Sequence, residues 1–238
     1  MSDFMINKWE EISEEATERK GYFVAALSGG KTPVDFYRAL ADRKDRLPWN
    51  KTHTFLVDER FLSFDDKDNN YRMLRETLFD RIPIPQENIH PIPTGGSTPR
   101  TSAEVYEEDL RIFFKLSSGQ LPEFDLILLG MGEDGHTASL FPGSPVLSER
   151  GRLAVAVMLD EIRHHRITLT LPVINHARHV VFLVSGKNKA PVLEKVANQK
   201  DPSLPASMVN PEKGKLLFLS DLEAGSQLPR ERKVVVND

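Results

Sequence analysis

FDLILLGMGEDGH, residues 124–136, opens on an apolar run and closes on a glycine-rich turn that carries two acids and a histidine. A run that is apolar at nearly every residue has no polar face, so it reads as a strand buried on both sides, the kind found in parallel sheets. Gly130, Gly132 and Gly135 end it in a tight turn. The same grammar recurs outward from this point. YFVAAL (22–27) runs into Ser28-Gly29-Gly30, and VVFLVSG (180–186) runs into Gly186 and Lys187. THTFLVDER (52–60) reads as one strand with a charged end, and LAVAV (153–157), RITLTLP (166–172) and KLLFLSD (215–221) read as further strands.

Helical segments lie between them. Residues 6–20 form one, ended by Gly21, and Thr32-Pro33 opens another that runs to about Ala41. Asn69 to Phe79 is a third. Ser102 to Phe114 is a fourth, with Ser102 as its N-cap and Val105 and Leu110 facing inward. Lys189 to Ala197 is a fifth, and the proline-rich 82–96 is a loop with short extended pieces. Strands alternating with helices specify an α/β fold around a mainly parallel sheet.

The 238 residues are enough for a large core, as one large domain or two small ones. There are no cysteines, so disulfides, thiolate metal sites and a cysteine nucleophile are excluded. A net charge of −4 and the lack of a basic stripe argue against nucleic acid as a partner. No window approaches the ~20 apolar residues of a membrane helix, and the N-terminus has no signal-peptide run, so the expected location is the cytoplasm.

In a parallel α/β sheet, ligands bind beyond the carboxyl ends of the strands. Four such ends carry chemistry: residues 28–31, 58–60, 130–136 and 186–189. At the first, Ser28, Gly29 and Gly30 let a ligand approach the backbone, Lys31 and Thr32 add an ammonium and a hydroxyl, and a helix N-terminus follows. This is a candidate phosphate cradle, or else a plain strand–helix turn; the P-loop spacing is absent. At the second, Arg60 offers a fork for phosphate and Asp58 an acceptor for a sugar hydroxyl, unless the three charges form only a solvated strand end. At the third, His136 has the side chain suited to proton transfer near neutrality, and Asp134 is placed to orient it. The alternative is a histidine capping the next helix. Arg166 and Lys189 are further phosphate candidates or rim charges, and His164 and His165, adjacent on an extended chain, point to opposite faces and do not share a metal. The expected metal count is zero.

SGGKTP (28–33), DER (58–60), NNYRM (69–73), GMGEDGHTASLFPG (130–143), RITLTLP (166–172), GKNKA (186–190) and LPAS (204–207) make the chain resemble the 6-phosphogluconolactonase family over about residues 22–222. The resemblance implies a Rossmann-like parallel sheet with a smaller appended region, in one domain spanning 1–238. It implies hydrolysis of 6-phosphoglucono-δ-lactone to 6-phosphogluconate, with no cofactor. The sugar-phosphate lactone is the expected partner, and the chain is expected to act as a monomer or weak homodimer. His136 then maps to the catalytic position with Asp134 beside it. Phosphate maps to Lys31 and Arg60 and, by analogy with related deaminases, to Lys189. Glucosamine-6-phosphate deaminases share GxGxDGH but continue in a form resembling IAFNEP, where this chain has TASLFPG. A deaminase or isomerase on the same scaffold, with Asp58 as main base, is the rival reading; a non-catalytic sugar-phosphate sensor is another. Two departures stand out. DEIRHH (160–165) replaces a proline-rich loop, leaving the far wall of the site open, and only about twenty residues precede the SGG strand, so that either one sheet edge is altered or the sequence starts late.

Overall fold

Every residue of β1 (Phe23–Leu27) and of β5 (Leu126–Leu129) is buried. They pair in parallel at the centre of a six-stranded sheet with β2 (Thr52–Leu56), β4 (Ile89–His90), β8 (His179–Val184) and β9 (Lys215–Ser220). The order is β4-β2-β1-β5-β8-β9, parallel throughout. Strands are added on one side of β1 and then on the far side of β5, so the order reverses between these two. A reversal of this kind leaves a crevice at the carboxyl ends of the flanking strands, and those ends run into Ser28 and Gly130. The computed structural model describes residues 1–96, 98–159 and 164–229. Among them, no helix is long and apolar enough to cross a membrane.

The first helix, α1 (Ser2–Lys20), buries Met5, Ile6, Trp9, Ile12 and Ala16, a stripe at helical spacing that packs on β1. The Trp9 ring lies edge-on to Phe23 at 5.0 Å. Each large side chain so buried contributes about 1.5–3 kcal/mol. Gly21 ends the helix with φ 88°, donating its N–H to the Thr17 carbonyl. The other helices are α2 (Val34–Asp42), α3 (Asn70–Thr77), α4 (Pro99–Phe114) and the short α5 (Leu171–Asn175) and α6 (Ala190–Glu194).

The parallel α/β architecture is as expected from the sequence, but four local readings are corrected. Residues 52–60 are two strands. The chain leaves the large sheet at Val57, whose N–H donates to Leu27 and whose carbonyl accepts from Leu169, and continues as β3 (Asp58–Arg60). There it joins β7 (Arg166–Leu169) and β6 (Ala154–Val157) in a separate antiparallel sheet, the smaller appended region. Helix α4 starts earlier than Ser102: Thr98 caps it, accepting from Thr101 N–H, and Pro99 takes the first helical position, while Ser102 is buried inside the second turn. Val105 is 53% exposed; Tyr106 and Leu110 carry the inward face. The last predicted helix begins only at Ala190, after a 3-10 turn over Lys187–Lys189, and widens into a π turn over Lys195–Gln199.

At the outer side of the large sheet, His53 packs against Phe113 at 4.7 Å and Tyr22 at 5.9 Å, with its Nδ1 3.4 Å from His90 Nε2. Burial first, then the neighbouring His90 and Lys20, lowers its pKa from 6.5 to about 4. Within that window the unfolded chain binds a proton that the folded ring refuses. Stability from His53 is therefore present above 6.5 and lost as pH falls toward 4. The ring is only half-buried, so solvent screening leaves about 1 kcal/mol. His53→Phe is expected to cut the loss of Tm on acidification from neutral pH by about 2–4 °C. Parallel melting curves for the two proteins at each pH would remove His53 as the cause.

Candidate active site

The turns after β1, β5 and β8 meet strand β3 and the start of β7 around a cleft of about 330 Å³. All four chemically marked strand ends reach it. Its walls carry Lys31, Asp58, Arg60, His136, Arg166 and Lys189, with the backbone of Ser28, Gly29 and Gly30 and the side of Thr32 between them. The switch point between β1 and β5 and the cleft thus coincide.

On the β1 side, the Ser28 hydroxyl donates to Leu128 carbonyl at 2.7 Å and the Ser28 carbonyl accepts from Tyr37 at 2.8 Å, tying the turn to β5 and α2. Gly30 has φ 95°, a left-handed conformation that suits glycine. The amides of Gly29 and Gly30 meet no acceptor among the described residues, and both residues line the cleft. Thr32 Oγ1 lies 3.0 Å from Ser185 Oγ, which links this turn to the one after β8.

Strand β3 divides its three charges by alternation. Asp58 and Arg60 face the cleft; Glu59 faces the other way and is fully buried. Its carboxylate accepts from the N–H of Arg60 at 2.8 Å, Asn70 at 2.7 Å and Tyr71 at 2.7 Å, so it holds the first turn of α3. Burial nonetheless pushes its pKa up to about 8 against the pull of those donors. Asp58 Oδ2 accepts from the buried Ser139 hydroxyl at 2.6 Å. Arg60 and Arg166 stand directly opposite each other across β3 and β7. Burial lowers the pKa of Arg166; Asp58 opposes that shift and Arg60 adds to it. Like charges opposed across strands destabilise each other, and here the Asp58 carboxylate offsets Arg60 at Arg166.

The loop after β5 folds back on itself. Gly132 N–H donates to His136 carbonyl at 2.8 Å and Gly135 N–H to Gly132 carbonyl at 3.1 Å. These two amides are therefore occupied and unavailable to a ligand. Asp134 Oδ1 accepts from His136 N–H at 3.1 Å and sits 2.6 Å from His136 Nδ1. An imidazole nitrogen facing a carboxylate carries the proton, which leaves the lone pair on Nε2. Burial raises the pKa of Asp134, but the backbone N–H and imidazole of His136 outweigh it and the net shift is downward. Phe141 packs on the His136 ring at 4.7 Å.

Asn70, Ala138 and Met131 line the cleft; each lies in a quoted motif, but none was given a role from the sequence. Nor was Ser139, which holds Asp58 from 81 residues away. Ala138 has φ 50°, unusual for a residue with a side chain, as the loop turns between His136 and Ser139. Residues 160–163 of the atypical DEIRHH segment lie outside the described residues. Of its remainder, His165 accepts from Phe61 N–H through its carbonyl and from Leu159 N–H through Nδ1. Among the described residues, no group of three His, Asp or Glu side chains is gathered as a metal site.

Comparison with known proteins bears on the family and the fold. Residues 1–218 match the family model described as glucosamine-6-phosphate isomerases/6-phosphogluconolactonase. A 6-phosphogluconolactonase of Synechocystis sp. is 45% identical over 216 residues, covering 90% of this chain and 88% of that protein. The solved 6-phosphogluconolactonase of Trypanosoma brucei is 30% identical with a TM-score of 0.84, over 96% of this chain and 94% of that one. The enzyme of Thermotoga maritima is 32% identical with a TM-score of 0.80, over 92% and 95%. The chain belongs to the glucosamine-6-phosphate isomerase/6-phosphogluconolactonase family.

Proposed function

We propose that this chain hydrolyses 6-phosphoglucono-δ-lactone to 6-phosphogluconate, with His136 as general base. The observation that carries the mechanism is the Asp134–His136 pair at 2.6 Å, on one wall of a cleft whose other walls are cationic. Neutral His136 takes a proton from water through Nε2 as the water oxygen bonds to the lactone carbonyl carbon. Asp134 keeps the proton on Nδ1 and stabilises the imidazolium that forms. The tetrahedral intermediate collapses as the bond to the ring oxygen breaks, and His136 returns its proton to that oxygen. The products are the open-chain hydroxyl and a carboxylic acid that ionises. Lys31, Arg60, Arg166 and Lys189 hold the phosphate together with the free amides of Gly29 and Gly30, and Thr32 and Ser28 shape the turn that presents them. Asp58 accepts a sugar hydroxyl through the carboxylate oxygen that Ser139 leaves open.

The test is lactone hydrolysis measured above the spontaneous ring opening of the substrate. Hydrolysis no faster than that background, with ammonia released from glucosamine 6-phosphate, would replace this reading by the deaminase one. Lys31 is exposed, so its contact with phosphate is partly screened. Lys31→Ala is expected to raise KM about tenfold, near the lower end for a charged hydrogen bond, with kcat held. An unchanged KM would remove Lys31 from the phosphate site.

A further inference from the structure

Asn70 is 4% exposed, lines the cleft and uses every polar atom it has. Its Oδ1 accepts from Arg60 Nη1 at 2.8 Å, and its Nδ2 donates to the Asp58 carbonyl at 2.9 Å. Its N–H donates to buried Glu59 at 2.7 Å, which fixes the residue from below. The same side chain is pressed against the turn after β1. A Cβ added to Gly29 would stand 2.0 Å from Asn70 Oδ1 and 2.2 Å from Cγ. Asn70 cannot swing away from such an atom without giving up its bonds to Arg60 and Asp58. One side chain thus touches both halves of the cationic cleft: the turn at Gly29 Cα and the Arg60 guanidinium.

We propose that Asn70 is a positioning residue that sets the Arg60 guanidinium at a fixed distance from the Gly29–Gly30 turn, so that a phosphate group is gripped from both sides. Glycine at 29 is then required by Asn70, because the turn must approach that amide closely, and not by its own backbone angles. The φ of Gly29 is not in the left-handed region, unlike that of Gly30. The Asp68 carbonyl also accepts from Arg60 Nη1, at 2.9 Å, at an exposed position. Arg60 therefore keeps an anchor when Asn70 is lost, while its placement relative to Gly29 relaxes.

The proposal rests on the phosphate-binding reading of the cleft, so it is tested with inorganic phosphate as the probe, by calorimetry on the full chain, alongside lactone turnover. Asn70→Ala is expected to weaken phosphate about tenfold and to raise KM by a similar factor, with kcat within about twofold. Asn70→Asp keeps the shape but sets a carboxylate on Arg60 and against the Asp58 carbonyl; it is expected to weaken phosphate further. Gly29→Ala alone should damage phosphate binding severely, and Gly29→Ala combined with Asn70→Ala should recover to the level of Asn70→Ala. The rescue shows that the damage at Gly29 runs through Asn70, and the loss of phosphate affinity with kcat held in Asn70→Ala is what a purely structural asparagine would not produce. Wild-type phosphate affinity in either folded Asn70 variant overturns the proposal, as does equal damage by Gly29→Ala in both backgrounds. Should Asn70→Ala not fold, Asn70→Asp decides alone. Intact phosphate binding with the expected Asn70 pattern, but no lactone turnover, would sink the catalytic reading and leave this one standing.

Discussion

His136→Ala is expected to lower kcat by about 10²–10⁴-fold while leaving phosphate affinity and the fold in place. The range is that for removing a positioned general base. The fold should survive because the His136 side chain is 34% exposed and packs chiefly on Phe141 at 4.7 Å, outside the buried sheet. Phosphate affinity should survive because Lys31, Arg60, Arg166 and Lys189 stand on other walls. The measurable loss has a floor: the lactone opens on its own, so residual rates must be read against buffer. Asp134→Asn is expected to follow with a smaller loss, since the base remains but its tautomer and orientation are no longer held. Near-wild-type turnover in His136→Ala would end the assignment of that residue, whatever the substrate.

The sequence revealed most where one side chain or one run of residues decides the outcome locally. FVAAL and LILL are apolar at every position, and only burial on both faces accommodates that. The turn residues after them were legible for the same reason, since glycines at such density after a buried strand leave few other conformations. Legibility failed where a distant contact decides. THTFLVDER reads as one extended run with a charged end, yet the chain changes sheets inside it, because Val57 finds its two partners at Leu27 and Leu169. The change from apolar to charged residues at Asp58 coincides with the break, but it reads equally as the solvated end of a single strand. Val105 fits a helical stripe but faces solvent, because α4 packs on the small sheet and points Tyr106 inward to β2, where its hydroxyl donates to the Leu56 carbonyl and accepts from the Leu56 N–H.

The site divides in the same way. His136 and Asp134 are two residues apart, so their pairing was readable. The Ser139–Asp58 and Asn70–Gly29 contacts join loops that only the fold brings together. An asparagine in the doublet Asn69-Asn70 before a helix reads as a cap, and Asn69 is that cap, accepting from Arg72 N–H at 2.9 Å. Its neighbour is the one turned into the cleft, and spacing alone does not separate the two roles.

Gly132→Ala should cost about 10²-fold in kcat, nearly as much as a modest His136 effect, without removing any catalytic group. A Cβ built on Gly132 would lie 2.1 Å from His136 Nδ1, 2.3 Å from its Cε1 and 2.5 Å from Asp134 Oδ1. It would sit between the two groups that must touch. Gly132 does not have a left-handed φ, so alanine is permitted by the backbone and the effect isolates this steric conflict. Its N–H bond to the His136 carbonyl holds the loop closed from the opposite side, so the side chains, not the backbone, have to yield. Displacing a reacting group by about 1 Å is enough to lose 10²-fold. KM and phosphate affinity are expected to stay within about threefold, because the cationic walls lie elsewhere and such a change is under 1 kcal/mol. A kcat within threefold of wild type, in a protein with an unchanged melting curve, would mean that catalysis does not depend on the 2.6 Å contact between Asp134 and His136. The general base would then have to be sought elsewhere in the cleft, with Asp58 the next carboxylate able to reach a substrate there.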